Sequence, residues 1–108
     1  MSSKEGLGEF EQFVLLSILR LGDEAYGVPV RRDISQRSGR EISVGQLYSA
    51  LNRLELKGLV RSCVSESTPV RGGRAKKYFT VTRAGVQALK RSRENLALFW
   101  SGVTLPVR

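Results

Sequence analysis

The stretch Ser43-Val44-Gly45-Gln46-Leu47-Tyr48-Ser49-Ala50-Leu51-Asn52-Arg53-Leu54-Glu55-Leu56-Lys57-Gly58 decides how this chain folds. Leu47, Leu51 and Leu54 recur at i, i+4 and i+7, the spacing of a buried stripe on an amphipathic helix. Ser43 is placed to cap the helix N-terminus, and Gln46 three residues later completes the S-x-x-Q capping pattern. Gly58 supplies the stop just past the last turn. Opposite the leucines the sequence sets Gln46, Ser49, Ala50, Arg53 and Lys57. Because Ser43, Gly45, Ser49 and Ala50 are small, this helix start can approach another surface closely.

Beyond Gly58 the period changes. Residues 59–65 (Leu-Val-Arg-Ser-Cys-Val-Ser) and 78–81 (Tyr-Phe-Thr-Val) read as strands. Between them lies a long loop, Glu66 to Lys77, punctuated by Pro69 and Gly72-Gly73. Thr82 then caps a last helix running to about Ser101, with Val86, Leu89, Leu96 and Trp100 along one side. Upstream, a helix is expected over Glu9–Leu21, ended by Gly22-Asp23. Phe10, Phe13, Val14 and Leu21 lie on one flank of it, and Leu15, Ile18 and Leu19 extend onto another. A helix apolar on two sides is buried on two sides, and in a chain of 108 residues that points to a second subunit. A further helix starts near Tyr26-Gly27, takes Pro29 in its first turn where the missing N–H costs nothing, and stops at Ser38-Gly39. Val30, Ile34 and Val28 are read as its inner face. The order is therefore three helices, two strands and a last helix, a mainly α fold with a small β-hairpin, which is the layout of a winged helix-turn-helix. The expected organisation is a flexible N-terminus over 1–8, the winged unit over 9–81, a dimerisation helix over 82–101 and a tail over 102–108.

Charge is distributed unevenly. Of the net +8, all is carried between Pro69 and Arg93, where eight basic residues meet no acidic one; the rest of the chain balances ten basic side chains against ten acidic ones. So concentrated a field favours a polyanionic partner. The chain has no histidine and one cysteine, Cys63, which removes an intramolecular disulfide and the histidine-dependent nucleophile arrangements and most zinc sites. With no phosphate loop and no paired carboxylates, the composition argues against an enzyme, and no cofactor or metal is expected. The longest apolar run, Phe13 to Leu19, is far short of a membrane span, so a cytoplasmic protein without membrane contact is expected.

In such a layout the third helix enters the major groove of double-stranded DNA and the hairpin touches the flanking backbone. Gln46 is suited to adenine, and Ser43 and Ser49 to bases or phosphates. Arg53 and Lys57 are placed for the backbone. Arg71, Gly72, Gly73, Arg74, Lys76 and Lys77 put four cations around two flexible residues, a composition fit for a phosphate ribbon. For Tyr48 there are two readings: a phenol on phosphate with its ring at the helix margin, or a core residue beside Leu47. Leu96, Leu98, Phe99 and Trp100 read as interface packing, Cys63 as a small strand residue, and Asp23, Glu24 and Glu55 as caps and solvated charges. A different class also fits: a winged-helix interaction module whose basic wing takes an acidic protein.

Several of these segments together resemble a known family. Tyr26-Gly27, the run Gly45 to Glu55, Gly58-Leu59-Val60 and the run Lys77 to Gly85 are similar to the PadR family of bacterial transcriptional regulators, over roughly Phe13 to Leu89. The resemblance implies a dimeric repressor on a palindromic operator, with Tyr48 and the wing on DNA and the first and last helices forming the dimer. Phe10, Phe13, Leu15, Leu19, Leu89, Leu96, Phe99 and Trp100 are the interface residues expected on that basis. Two departures stand out. Val28-Pro29 replaces an aromatic and a glutamate at the start of the second helix. The chain also resembles the short subgroup with one helix after the wing, so a small-molecule effector would have to bind at the dimer interface.

Overall fold

The computed structural model describes residues 6–65 and 75–107. Four helices and one hairpin follow in the expected order: α1 Glu9–Leu21, α2 Gly27–Ser38, α3 Val44–Leu56, β1 Val60–Val64, β2 Lys77–Val81 and α4 Arg83–Trp100, with a single 3₁₀ turn over Gly22–Glu24. The caps are those the sequence specifies. The Ser43 hydroxyl accepts from the Gln46 N–H at 3.0 Å, and Thr82 Oγ1 accepts from the Gly85 N–H at 3.1 Å. Gly39 ends α2 in the left-handed conformation at φ 72°.

The hairpin is antiparallel, with Val60 opposite Val81, Ser62 opposite Phe79 and Val64 opposite Lys77. It does not stand alone. The Phe79 N–H donates to the Ala25 carbonyl at 2.8 Å, and Tyr26 forms an isolated bridge with Tyr78. These bonds attach β2 to the segment that starts α2, so the wing shares its base with the helices. On the other side, α4 begins almost in contact with the strand. A methyl group added at Gly85 would lie 2.6 Å from Val81 Cγ1 and inside the Leu59 carbonyl oxygen. Only glycine allows that approach.

The core is formed by Val14, Leu15 and Ile18 of α1, Val30 and Ile34 of α2, Leu47, Ala50, Leu51 and Leu54 of α3, and Val60 and Phe79 of the hairpin, with Ala25 and Ile42 from the connections. Three expectations are corrected here. Leu15 is completely buried within its own chain, so it has no surface to offer a partner; the outward apolar side chains of α1 are Leu16 and Leu19. Ala50, expected on the exposed face of α3, is completely buried, because it lies three residues after Leu47 and four before Leu54 and so belongs to the same stripe. Val28 points outward rather than into the core.

α4 differs from the other helices. Gly85 is its one buried residue, while Leu96, Leu98, Phe99 and Trp100 are all more than half exposed. The radius of gyration, 16.3 Å, exceeds the roughly 13 Å of a compact chain of this length. The helix projects from the core. Between it and α1 runs an apolar groove of about 820 Å³, lined among others by Leu7, Leu16, Leu19, Leu89, Leu96 and Trp100. No helix among the described residues is long and apolar enough to cross a membrane.

Candidate nucleic-acid interface

α3 presents Val44, Gly45, Gln46, Ser49, Asn52 and Arg53 to solvent. Its leading turn is uncharged, with Gly45 small and Val44 and Gln46 the larger exposed side chains. Ser43 is exposed too, although its oxygen is already engaged as the cap acceptor; its O–H is left to donate. Four N–H groups at a helix start have no partner inside the helix, and an anion placed there gains from both the donors and the dipole.

Both edges of α3 are fastened to the rest of the fold by polar contacts. On the α1 side, Glu11 is 7% exposed and takes Arg53 Nε on Oε2 at 3.4 Å and Lys57 Nζ on Oε2 at 3.1 Å. Its Oε1 accepts the Gly8 N–H at 3.1 Å, closing the first turn of α1. Burial alone would raise the carboxyl; the Gly8 N–H, Lys57 and Arg53 more than offset this and hold it below the usual glutamate range. On the wing side, the Ser62 hydroxyl donates to Glu55 at 2.7 Å, so Glu55 ties α3 to β1 and is not the free surface charge expected.

The structure shows Tyr48 in a packing role. It is half-buried and packs against the core, its ring edge-on to Phe79 at 6.4 Å between centroids. Its hydroxyl lies against Gly27, where an added methyl would overlap the phenol oxygen and come within 3.1 Å of Cζ. The absence of a side chain at Gly27 is what admits the phenol between α3 and the start of α2.

At the wing, Lys76 and Lys77 are exposed. Lys76 Nζ sits 4.4 Å above the Tyr26 ring, and Tyr26 packs edge-on against Tyr78 at 5.3 Å. A cation over an aromatic face is held electrostatically without losing its charge, so Lys76 is anchored near the α2 start while still able to face an anion. Its backbone is fixed as well, by reciprocal bonds with Ser65. Arg71, Gly72, Gly73 and Arg74 lie outside the described residues. Of the other expected site residues, Ser43, Gln46, Ser49 and Arg53 lie along the exposed side of α3. Phe10 and Phe13 are half-buried on α1, and Arg40 lies over the Phe13 ring at 5.4 Å while pairing with Glu9 at 2.8 Å.

Sequence reasoning missed Glu11, Gly27 and Tyr26 as parts of this surface. A glutamate in the first turn of a helix is ordinary, and its cationic partners lie 42 and 46 residues away, beyond any local pattern.

Comparisons with known proteins agree with this architecture. The transcriptional regulator PadR-like family matches residues 15–91. The chain is 39% identical over 74 residues to the transcriptional regulator Rv3488 of Mycobacterium tuberculosis, a match that covers 68% of this chain and 64% of that protein, less than two thirds of its length. Among solved structures, a PadR family transcription regulator from Clostridium difficile R20291 superposes with a TM-score of 0.68 at 28% identity, over 83% of this chain and 90% of that one. A transcriptional regulator from Clostridium thermocellum gives the same TM-score at 24% identity, over 83% and 84% of the two chains, a likeness of fold. With the family match running from the middle of α1 into α4, the chain belongs to the PadR-like family of transcriptional regulators, a family of winged-helix regulators rather than of enzymes.

Proposed function

We propose that the protein is a sequence-specific, double-stranded DNA-binding transcriptional repressor that acts as a homodimer on a palindromic operator. The observation that carries this reading is the shared surface of α3 and the wing. α3, with its uncharged first turn and Gln46 and Ser49 exposed, meets the hairpin through Tyr48 against Phe79, whose ring Lys77 overlies at 5.9 Å. In the division of labour, Ser43, Gln46 and Ser49 read bases, Arg53 and the wing residues Arg71 to Lys77 hold phosphate, and Tyr48 fixes α3 against α2 with its ring edge toward the backbone. Repression then follows from occupation of the operator.

The dimer is supported by the uncovered apolar side chains of Leu19, Leu96, Phe99 and Trp100, which monomeric proteins rarely leave contiguous. Two such copies would set their α3 helices in successive major grooves about 34 Å apart. An effector, if the protein takes one, would enter the groove between α1 and α4.

In-vitro selection of bound duplexes, followed by salt titration, tests the proposal. The expected result is an inverted repeat with half-sites one helical turn apart. If a dimer neutralises about six to ten phosphates, affinity falls roughly 10³–10⁵-fold between 50 and 200 mM salt. Gln46→Ala should alter the selected motif, whereas Arg71→Ala with Arg74→Ala should weaken all duplexes alike. Failure to shift any duplex at low salt would overturn the DNA reading in favour of an acidic protein partner. A well-folded monomer in sedimentation at micromolar concentration would overturn the dimer.

A further inference from the structure

Glu11 has no place in the division of labour above, yet it is among the most constrained side chains of the molecule. A carboxylate this deeply buried is costly unless its oxygens are matched by donors, and here both are. One donor is the Gly8 N–H; the other two are Arg53 and Lys57. These two are also the only basic side chains on α3 and its cap. Every positive charge on the DNA-facing helix is thus paired to one anion on a different helix. Arg53 is bound through Nε, its outer nitrogens have no partner among the described residues, and Arg53 and Lys57 remain 53% and 43% exposed. They are not hidden from a ligand; they are partly neutralised and held in position.

We infer that Glu11 is an internal counter-anion of the DNA-binding surface, a stand-in for phosphate that positions Arg53 and Lys57 and reduces their pull on the DNA backbone. This rests on the DNA-binding reading of α3. Two cations sharing one anion carry a combined charge of about +1 toward an incoming phosphate, so the sequence-independent share of binding is smaller than the basic residues of α3 suggest. A larger fraction of the energy that α3 delivers then comes from its base-facing turn. The arrangement also differs from an ordinary surface ion pair such as Glu9–Arg40, which is exposed on both sides and contributes little.

The test is salt-dependent binding of the full chain to a random-sequence duplex, comparing the unaltered protein with Glu11→Gln. The amide retains an oxygen for the Gly8 N–H but no charge. The slope of log affinity against log salt should steepen by about 0.9 for each protomer on the duplex. That is roughly eightfold tighter binding per protomer at 0.1 M salt, counted from 1 M. Glu9→Gln makes the same change in net charge on the same helix and should move the slope much less. Combining Glu11→Gln with Arg53→Gln and Lys57→Gln should abolish the gain. A folded Glu11→Gln protein with an unchanged slope, or with weaker binding, overturns the inference. Lys57→Gln alone gives an independent reading that needs no change at the buried site: the slope should fall by well under 0.9, and a full loss of 0.9 overturns it equally. If the unaltered protein fails to bind duplex at low salt, the DNA reading fails instead.

Discussion

Gly27 offers the most quantitative test of how α3 is seated. A methyl group there would face Tyr48 Cζ at 3.1 Å and overlap the phenol oxygen, whereas unstrained carbon contacts lie at about 3.5–4.0 Å. The ring must therefore retreat by about half an ångström at Cζ and further at Oη. It has little room for this, because its other edge meets Phe79, itself buried and bonded through its N–H to Ala25. Overpacking of this kind costs about 1–3 kcal/mol. Replacing glycine at a position with ordinary helical φ returns about 0.4–1 kcal/mol through the unfolded chain. Gly27→Ala should thus lose about 0.5–2 kcal/mol. For a domain of this size that lowers Tm by roughly 4–8 °C per kcal/mol, read at fixed protein concentration because assembly shifts apparent stability. Tyr48→Phe removes the overlapping oxygen, so the double variant should be more stable than the two single effects added together, with a coupling of about 1 kcal/mol in urea melts. Simple additivity, or a Gly27→Ala protein as stable as the parent, would refute the claim that the phenol is lodged against Gly27.

Thr82 donates to the Gly58 carbonyl at 2.7 Å and accepts from the Gly85 N–H, joining the end of α3, the hairpin and α4; Thr82→Val should cost about 1–2 kcal/mol in thermal melts, and Thr82→Ser should restore most of it. Glu11 gives a pH dependence of known sign. Its folded pKa is depressed, so the stability it contributes is present above the ordinary glutamate value of about 4.3 and is lost as pH falls through that value and the lower folded one. Urea midpoints between about pH 6 and pH 3 should decline more steeply in the parent than in Glu11→Gln, and parallel curves would contradict the assignment.

How much of this could be read from residues alone depended on the range of the interaction involved. The helix over 44–56 was legible because the Leu47–Leu51–Leu54 stripe, the Ser43 cap and Gly58 all act within four residues. Ala50 is harder to place: its small size suits the exposed face, yet its spacing from Leu47 and Leu54 puts it inside. α1 was ambiguous for the opposite reason. With apolar residues on nearly every side, periodicity does not say which flank meets its own core, and it leaves Leu15 open to a partner although Leu16 and Leu19 are the outward leucines. The polar fastenings of α3 left no local trace. Glu11 with Arg53 and Lys57, and the phenol of Tyr48 against Gly27, come together only through the packing of α1, α2 and α3.

The projecting α4 carries a consequence for how abundance governs this regulator. The helix is about 27 Å long at 1.5 Å per residue, and among its residues only Gly85, near its start, is buried. A helix with so little packed against it has to rely on its own propensity, without the tertiary packing that supplies most helical stability in proteins. Under the proposed dimerisation, a second copy supplies the missing contacts, and each newly made chain matures only by meeting another. Scarce chains would then be short of partners and open to proteases at the C-terminal turns, while plentiful ones would be protected. Cellular dosage would set the lifetime of the protein as well as its occupancy of DNA, giving a steeper than linear response to its own synthesis.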